Sequence, residues 1–315
     1  MSSMRVMVDA PPFPLDLVGT ILDPTGALVD ARPRPWSGGD IVGLLVWNPV
    51  SAVDLEQLPS LRVIATCSVG FDHIDAEAAA KRGVWVCNVP DYCIEVMADS
   101  TLALELALLR GVVALDRTVR AGIWDDHAAG PLPRLSETRL GVIGFGRIGR
   151  AVAARALALG MEVWATDPLV AEREMAAAGV KPATIDGLLR SCLAVTLHMP
   201  LTKETLGMIG ERELALMPTG AFLVNTARAG LVDSAALMAA LESGHLGGAA
   251  FDVLDVEPPT SEHPAPVHPR LIVTPHAAWY SPRSEEEVYR RAALAVRAVL
   301  EGGEPKGAVT RPLVR

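Results

Sequence analysis

Arg228, Glu257 and His276 are the side chains of this sequence best suited to act together on one small molecule. Arg228 stands in Asn225-Thr-Ala-Arg228-Ala-Gly230, directly after a strand predicted over Ala221–Val224. Glu257 stands in Asp252-Val-Leu-Asp-Val-Glu257-Pro258, after a strand predicted to end at Phe251. His276 stands in Thr274-Pro-His-Ala-Ala-Trp279, after a strand predicted to end at Val273. An imidazolium can protonate a carbonyl oxygen while hydride arrives at its carbon. A neighbouring carboxylate favours the protonated ring and orients it. A guanidinium can hold a carboxylate through two N–H bonds and polarise a carbonyl. Taken singly, each residue also fits a plain role: a surface arginine, a loop acid, a capping residue after proline. Together they end three successive strands, and in an open α/β sheet that edge is where ligands bind.

A second constellation precedes them. Gly144-Phe-Gly146-Arg-Ile-Gly149 follows a strand predicted over Leu140–Ile143 and leads into a helix predicted over Arg150–Leu159. The three glycines serve a tight turn, close approach of the backbone to pyrophosphate, and close helix–strand packing. The helix N-terminus then faces the phosphates. Asp167 ends the next predicted strand, where an acid can accept hydrogen bonds from the adenosine ribose hydroxyls and disfavour a 2′-phosphate. Dinucleotide binding, with NAD preferred to NADP, is the expectation.

These residues need a scaffold of alternating strands and helices. Further strands are predicted over Met4–Val8, Ile41–Trp47, Leu61–Ala65, Val84–Val86, Glu162–Ala165, Leu193–Leu197, Gly248–Phe251 and Leu271–Val273. Asp75–Arg82 has helical composition and stops at Gly83. Glu95–Ala121 is the longest helical stretch, broken only at Gly111; a loop follows over Asp125–Glu137. A last helix is predicted over Ser284–Leu300, with the final fifteen residues as a tail. The alternation means βαβ units and a parallel sheet, and six strands in the second half suit a complete dinucleotide-binding domain.

Composition limits the alternatives. At 315 residues the chain suggests about two domains. A net charge of −9 argues against direct nucleic-acid binding, which needs clustered Lys and Arg. Mean hydropathy is +0.30, yet no apolar run approaches a membrane-spanning length. Met1–Pro14 is broken by Arg5, Asp9 and three prolines, so no secretory signal is expected. Cys67, Cys87, Cys93 and Cys192 form no C-x-x-C pair and read as reduced core thiols of a cytoplasmic protein. His263 and His268 have no ligands at suitable spacing, so no metal site is expected.

The sequence resembles the D-isomer-specific 2-hydroxyacid dehydrogenases. The likeness lies in Cys67-Ser-Val-Gly-Phe-Asp-His-Ile-Asp75, Cys87-Asn-Val-Pro90, Ala98-Asp-Ser-Thr101, Gly141–Gly149, Leu197-His-Met-Pro-Leu201, Phe222–Arg228, Ala250-Phe-Asp-Val253, Glu257-Pro258 and Thr274-Pro-His-Ala277. Pro275-His-Ala-Ala-Trp-Tyr-Ser281 is most similar to the C-terminal-binding-protein branch. The resemblance implies two α/β domains, Rossmann-like and flavodoxin-like, with parallel sheets and a cleft between them. Residues 1–94 and 282–315 would form the substrate domain and 95–281 the NAD-binding domain. It implies Arg228 as substrate arginine, His276 as acid/base and Glu257 as its partner. Asp252 would receive the nicotinamide carboxamide, and Asp167 the ribose. Arg147 and Ile148 would lend backbone N–H groups to pyrophosphate. Thr101 and Ala227 would lie near the nicotinamide, and His198 could touch the cofactor. Ser68, Val69 and Gly70 would bind the substrate carboxylate, and Trp279 would wall the pocket. Thr66 stands where that branch has arginine, and Ser68 where glycine is usual. The implied reaction is reversible reduction of a 2-oxo acid by NADH in a homodimer, the long helix and the loop after it being candidate contacts. The alternative is an NAD(H)-sensing regulatory protein with little turnover.

Overall fold

The computed structural model describes residues 4–9 and 14–312, so part of Met1–Pro14 and the last three residues of the expected tail lie outside the described residues. The chain divides into two compact units, Met1–Tyr92 with Ser281–Arg315, and Cys93–Tyr280. The first unit begins with β1 (Arg5–Val8), α1 (Leu15–Leu22), β2 (Leu28–Ala31), β3 (Ile41–Val46), α2 (Ala52–Glu56), β4 (Val63–Thr66), α3 (Ala76–Lys81) and β5 (Trp85–Cys87). The second unit starts with α4 (Ile94–Leu109), α5 (Val112–Arg120), β6 (Arg139–Ile143), α6 (Arg147–Ala158), β7 (Glu162–Thr166), α7 (Glu172–Ala177) and β8 (Lys181–Pro182). It continues with α8 (Ile185–Ser191), β9 (Ala194–Leu197), α9 (Glu211–Leu216), β10 (Ala221–Asn225), α10 (Ser234–Glu242), β11 (Leu246–Phe251) and β12 (Leu271–Val273). The chain then returns to the first unit as α11 (Pro282–Leu300) and β13 (Ala308–Thr310).

The first sheet runs β13-β5-β4-β3-β1-β2 and is parallel except for β13, which pairs antiparallel with β5. Without β13 this is the flavodoxin-like order. All residues of β3 and β4 are buried, as expected of central parallel strands covered on both faces. One cover is α11. Its Val288, Ala292, Ala295, Val296 and Val299 recur at helical spacing and join the core beneath α1 and β3. That buried stripe explains why the last helix belongs with the first unit. Ser281 caps it, accepting from Ser284 N–H at 3.1 Å.

The second sheet runs β12-β11-β10-β9-β6-β7-β8, entirely parallel. Strand order reverses between β6 and β9, which places the switch point beside the glycine loop. Seven strands replace the six expected. The strands missed from sequence are β2, β8 and β13: short edge strands, half exposed, without an apolar run to announce them. The expected tail after Leu300 contains β13, which covers the edge of β5. The helix after the glycine loop begins at Arg147 rather than Arg150, with Gly146 as its N-cap. Among the described residues no helix is long and apolar enough to cross a membrane. All four cysteines are buried and none is in a disulfide.

One residue breaks the pattern of α4. Its buried face carries Ala98, Thr101, Leu108, Leu109 and also Glu105. Glu105 is 1% exposed, and neither carboxyl oxygen has a hydrogen-bond partner among the described residues. Burial pushes its pKa up to about 8. The unfolded chain releases that proton near pH 4.3, at the ordinary glutamate value of about 4.3. Below that pH both states hold the proton and nothing is lost. As pH rises towards about 8, stability falls by roughly 1.4 kcal/mol per unit, because only the folded state keeps the proton. Glu105→Met should therefore raise the unfolding midpoint more at pH 8 than at pH 5. Equal shifts at the two pH values would show that the native carboxyl is not held neutral.

Candidate active site

Three neighbouring strands of the second unit deliver Arg228, Glu257 and His276. After β10, the buried Asn225 side chain pins the turn: its Nδ2 donates to Arg228 O at 2.8 Å and its Oδ1 accepts from Ala227 N–H at 3.0 Å. Arg228 is partly buried, and its Nη1 donates to Ala227 O at 2.9 Å. After β11, Glu257 Oε1 accepts from Leu254 N–H at 2.6 Å. Glu257 Oε2 lies 2.5 Å from His276 Nδ1. Burial raises the Glu257 pKa, but the hydrogen bonds from His276 and Leu254 and the charges of His276 and Arg228 outweigh it, holding the carboxyl below the usual glutamate value. An ionised carboxylate only accepts, so Nδ1 carries a proton and Nε2 is the ring nitrogen left to exchange one.

His276 itself has φ +50°, a left-handed conformation unusual for a side chain beyond glycine. Asp252 supports it. This residue is 1% exposed and follows β11. Its Oδ1 accepts from Thr274 Oγ1 at 2.5 Å and Ala277 N–H at 2.9 Å, and its Oδ2 from Ala278 N–H at 2.8 Å. Its carbonyl accepts from His276 N–H at 2.9 Å. The acid thus organises the histidine segment, a role that sequence spacing alone does not reveal. A carboxylate has about four acceptor positions, so one remains for a further donor such as a carboxamide. Trp279, at the end of this segment, stands edge-on to Tyr280 with ring centroids 5.8 Å apart.

The glycine loop has the shape its sequence implies. Gly144 has φ +96°, and a Cβ there would lie 2.7 Å from the His198 carbonyl carbon. A Cβ on Gly149 would lie 2.0 Å from Gly144 O. Gly146 faces open space, and no side chain caps α6. Arg150 N–H donates to Gly146 O, whereas the N–H groups of Gly146, Arg147, Ile148 and Gly149 find no acceptor among the described residues. Four unpartnered donors at a helix N-terminus beside an open glycine cradle fit a dinucleotide pyrophosphate. Asp167, just past β7, has its Oδ2 2.8 Å from Phe145 N and its Oδ1 2.8 Å from Leu169 N. The candidate ribose acid therefore also clamps the glycine loop.

His198 follows β9, across the switch point. Its N–H donates to Ile143 O at 2.7 Å, and its Nε2 lies 3.2 Å from Thr196 Oγ1. Burial lowers its pKa to about 4, so the ring is neutral at pH 7. Thr101, fully buried on α4, donates to Met97 O and lies 2.8 Å from Thr226 Oγ1, beside Ala227.

Ser68, Val69 and Gly70 lie in the first unit, after β4. Ser68 O accepts from Val89 N–H at 3.0 Å and Val69 O from Asn88 Nδ2 at 2.6 Å. The N–H groups of Ser68, Val69 and Gly70 have no acceptor among the described residues. Successive free N–H groups of this kind make an anion-binding concavity. Cys67 is wholly buried; burial, aided by the Asp9 charge, pushes its thiol well above the ordinary value, which removes it as a nucleophile.

Sequence reasoning missed Asp9 and Arg34. Asp9, 2% exposed, accepts from Trp47 N–H and Asn48 N–H, both at 2.9 Å, and from Arg34 Nε at 2.8 Å. Arg34 also donates to Pro49 O and stacks on Trp36 at 4.6 Å. The pair bridges the ends of β1 and β3; a buried-strand acid followed by a distant arginine leaves no local pattern to detect.

Comparison with known proteins identifies the family. The D-isomer specific 2-hydroxyacid dehydrogenase, NAD binding domain family matches residues 102–278. A glyoxylate reductase from Korarchaeum cryptofilum is 36% identical over 307 residues, covering 96% of this chain and 91% of that protein. A glycerate dehydrogenase from Methylorubrum extorquens is 36% identical over 269 residues, covering 83% and 82%. Among solved structures, a D-lactate dehydrogenase from Aquifex aeolicus, complexed with NAD and lactic acid, superposes with a TM-score of 0.85 at 29% identity, covering 94% of this chain and 96% of that one. An α/β chain with an open glycine cradle, and with Arg, Glu and His at three successive strand ends, thus belongs to the D-isomer-specific 2-hydroxyacid dehydrogenases, NAD-dependent oxidoreductases of 2-hydroxy acids.

Proposed function

We propose that this protein reduces a small 2-oxo acid to its D-2-hydroxy acid, with His276 as the acid and base. The observation that carries this reading is the 2.5 Å contact between His276 Nδ1 and Glu257 Oε2. It fixes one ring nitrogen as a donor and leaves Nε2 to give its proton to the substrate carbonyl oxygen. Glu257 favours the charged ring during reduction, and in the reverse direction Nε2 takes the proton back. Arg228 would bind the substrate carboxylate and polarise the carbonyl. The N–H groups of Ser68, Val69 and Gly70 would bind a substrate carboxylate, and Trp279 would limit the side chain accepted.

NADH, when bound, supplies the hydride. The first turn of α6 would hold its pyrophosphate, and Asp167 the adenosine ribose. Asp252 would take the nicotinamide carboxamide on its remaining acceptor position, with Thr101, Ala227 and His198 nearby. Asp167 supports a preference for NAD, since a carboxylate repels a 2′-phosphate. The named relatives support glyoxylate or hydroxypyruvate as substrate.

A homodimer is proposed through α5 and the loop after it. No residue of α5 is buried, and Val112, Val119, Ile123 and Trp124 are exposed, Trp124 by 91%. Four buried cysteines without a disulfide suit a reducing compartment such as the cytoplasm. The stretch Pro275–Ser281 keeps the NAD(H)-sensing reading as the alternative.

Three measurements test this assignment. NADH consumption with glyoxylate, hydroxypyruvate and pyruvate should show turnover; tight NADH binding with none would move the assignment to the sensing protein. His276→Ala should lower kcat at least about a hundredfold while NADH still binds; full activity would remove the mechanism. Asp167→Ala should narrow the preference for NADH over NADPH; an unchanged ratio would leave this acid with only its clamp on Phe145.

A further inference from the structure

Thr66, at the end of β4, and Ser68, at the start of the loop that follows, touch each other. Thr66 Oγ1 lies 2.7 Å from Ser68 Oγ and 2.9 Å from His73 Nε2. Ser68 Oγ donates to Gly70 O at 2.5 Å. Proton counting gives this chain a single direction. A carbonyl can only accept, so the one Ser68 hydroxyl proton goes to Gly70 O. Ser68 Oγ then accepts the Thr66 proton. Thr66 Oγ1, having given its proton away, accepts from His73 Nε2–H. Thr66 is wholly buried, which leaves no room for water to replace a partner.

The chain ends on the segment that carries the free N–H groups. Ser68 O is held by Val89 N–H, Val69 O by Asn88 Nδ2, and Gly70 O by the Ser68 hydroxyl. Three successive carbonyls are thus anchored from within the first unit. With the peptide planes fixed on the carbonyl side, the orientation of the intervening N–H groups is fixed as well. The Thr66–Ser68 pair supplies no charge to a bound carboxylate, and supplies order instead.

We propose that Thr66 and Ser68, with His73, are positioning residues that hold the Ser68–Gly70 backbone ready for a substrate carboxylate, so that it meets pre-organised N–H donors. This rests on the proposed role of that loop in 2-oxo acid binding. A site of this kind favours acids with one carboxylate, because the loop offers no cation for a second.

The test is Thr66→Val, which keeps the shape and removes the hydroxyl, with Thr66→Ser as the conservative variant. Two readouts are used: KM and kcat for glyoxylate, and the Kd of oxamate, an unreactive 2-oxo acid analogue, on the NADH-loaded protein. Thr66→Val should raise both KM and oxamate Kd by about tenfold, the loss of roughly one hydrogen bond of positioning, with kcat and NADH affinity within about twofold. Thr66→Ser should restore both. Unchanged oxamate affinity in Thr66→Val, or a loss that Thr66→Ser does not rescue, overturns the proposal. If Thr66→Val does not fold, Ser68→Ala is read by the same criteria. If wild type turns over no 2-oxo acid, the catalytic reading fails, and oxamate binding alone decides this one; absence of oxamate binding to wild type overturns it too.

Discussion

The carboxylate of Asp252 is the contact on which the arrangement of the His276 segment depends. It lies buried at the end of β11 and accepts three donors from the segment after β12. Hydrogen bonds to a charged acceptor contribute about 1.5–3 kcal/mol each, which is enough to hold a residue in a sparsely populated backbone conformation costing about 1–3 kcal/mol. His276 is that residue, at φ +50°. With its backbone fixed, the ring meets Glu257, which the Leu254 N–H fixes in turn. Two acids therefore divide the work. One is buried and shapes the backbone; the other is half exposed and acts on the ring.

The same sheet-edge geometry is used twice with different occupants. In the second unit the switch point between β6 and β9 presents a row of N–H groups at the start of α6 and leaves them open. In the first unit the corresponding point lies between β1 and β3, and Asp9 fills it, accepting from Trp47 and Asn48 N–H and from Arg34. An internal anion already sits where an external one would bind. The free N–H groups of the first unit appear instead one strand further on, after β4. A chain of net charge −9 thus carries two clusters of open backbone N–H groups among the described residues, local dipoles whose sign is opposite to that of the formal charge.

Much of this was legible in the sequence. The central strands are continuous apolar runs because both faces are buried, and Gly144 and Gly149 are imposed by contacts no side chain could survive. Arg228, Glu257 and His276 were recognisable because each follows such a run. The edge strands β2, β8 and β13 were not, since half-exposed strands of two to four residues carry no distinctive pattern. Nor was the start of α6: the first turn contains Gly149, a poor helix former placed there by the Gly144 carbonyl rather than by propensity. The second roles of Asp252 and Asp167, as clamps on the histidine segment and the glycine loop, are invisible in sequence because their partners are backbone N–H groups, which every residue but proline has.

Buried polar groups in this protein separate by whether they are partnered. Asp9, Thr66 and Asp252 are each 2% exposed or less, each stands at the carboxyl end of a parallel strand, and each has partners for its polar atoms. Displacing any of them strands a donor or acceptor away from water, at about 1–3 kcal/mol apiece. Such a group therefore admits one arrangement and excludes its neighbours. Glu105, equally buried in the middle of α4, has no hydrogen-bond partner among the described residues and defines no arrangement. The difference follows from position. Strand ends expose converging N–H groups that a side chain can satisfy, whereas a helix interior keeps its N–H groups for itself. The partnered buried groups accordingly gather at strand ends, where the backbone has donors to spare.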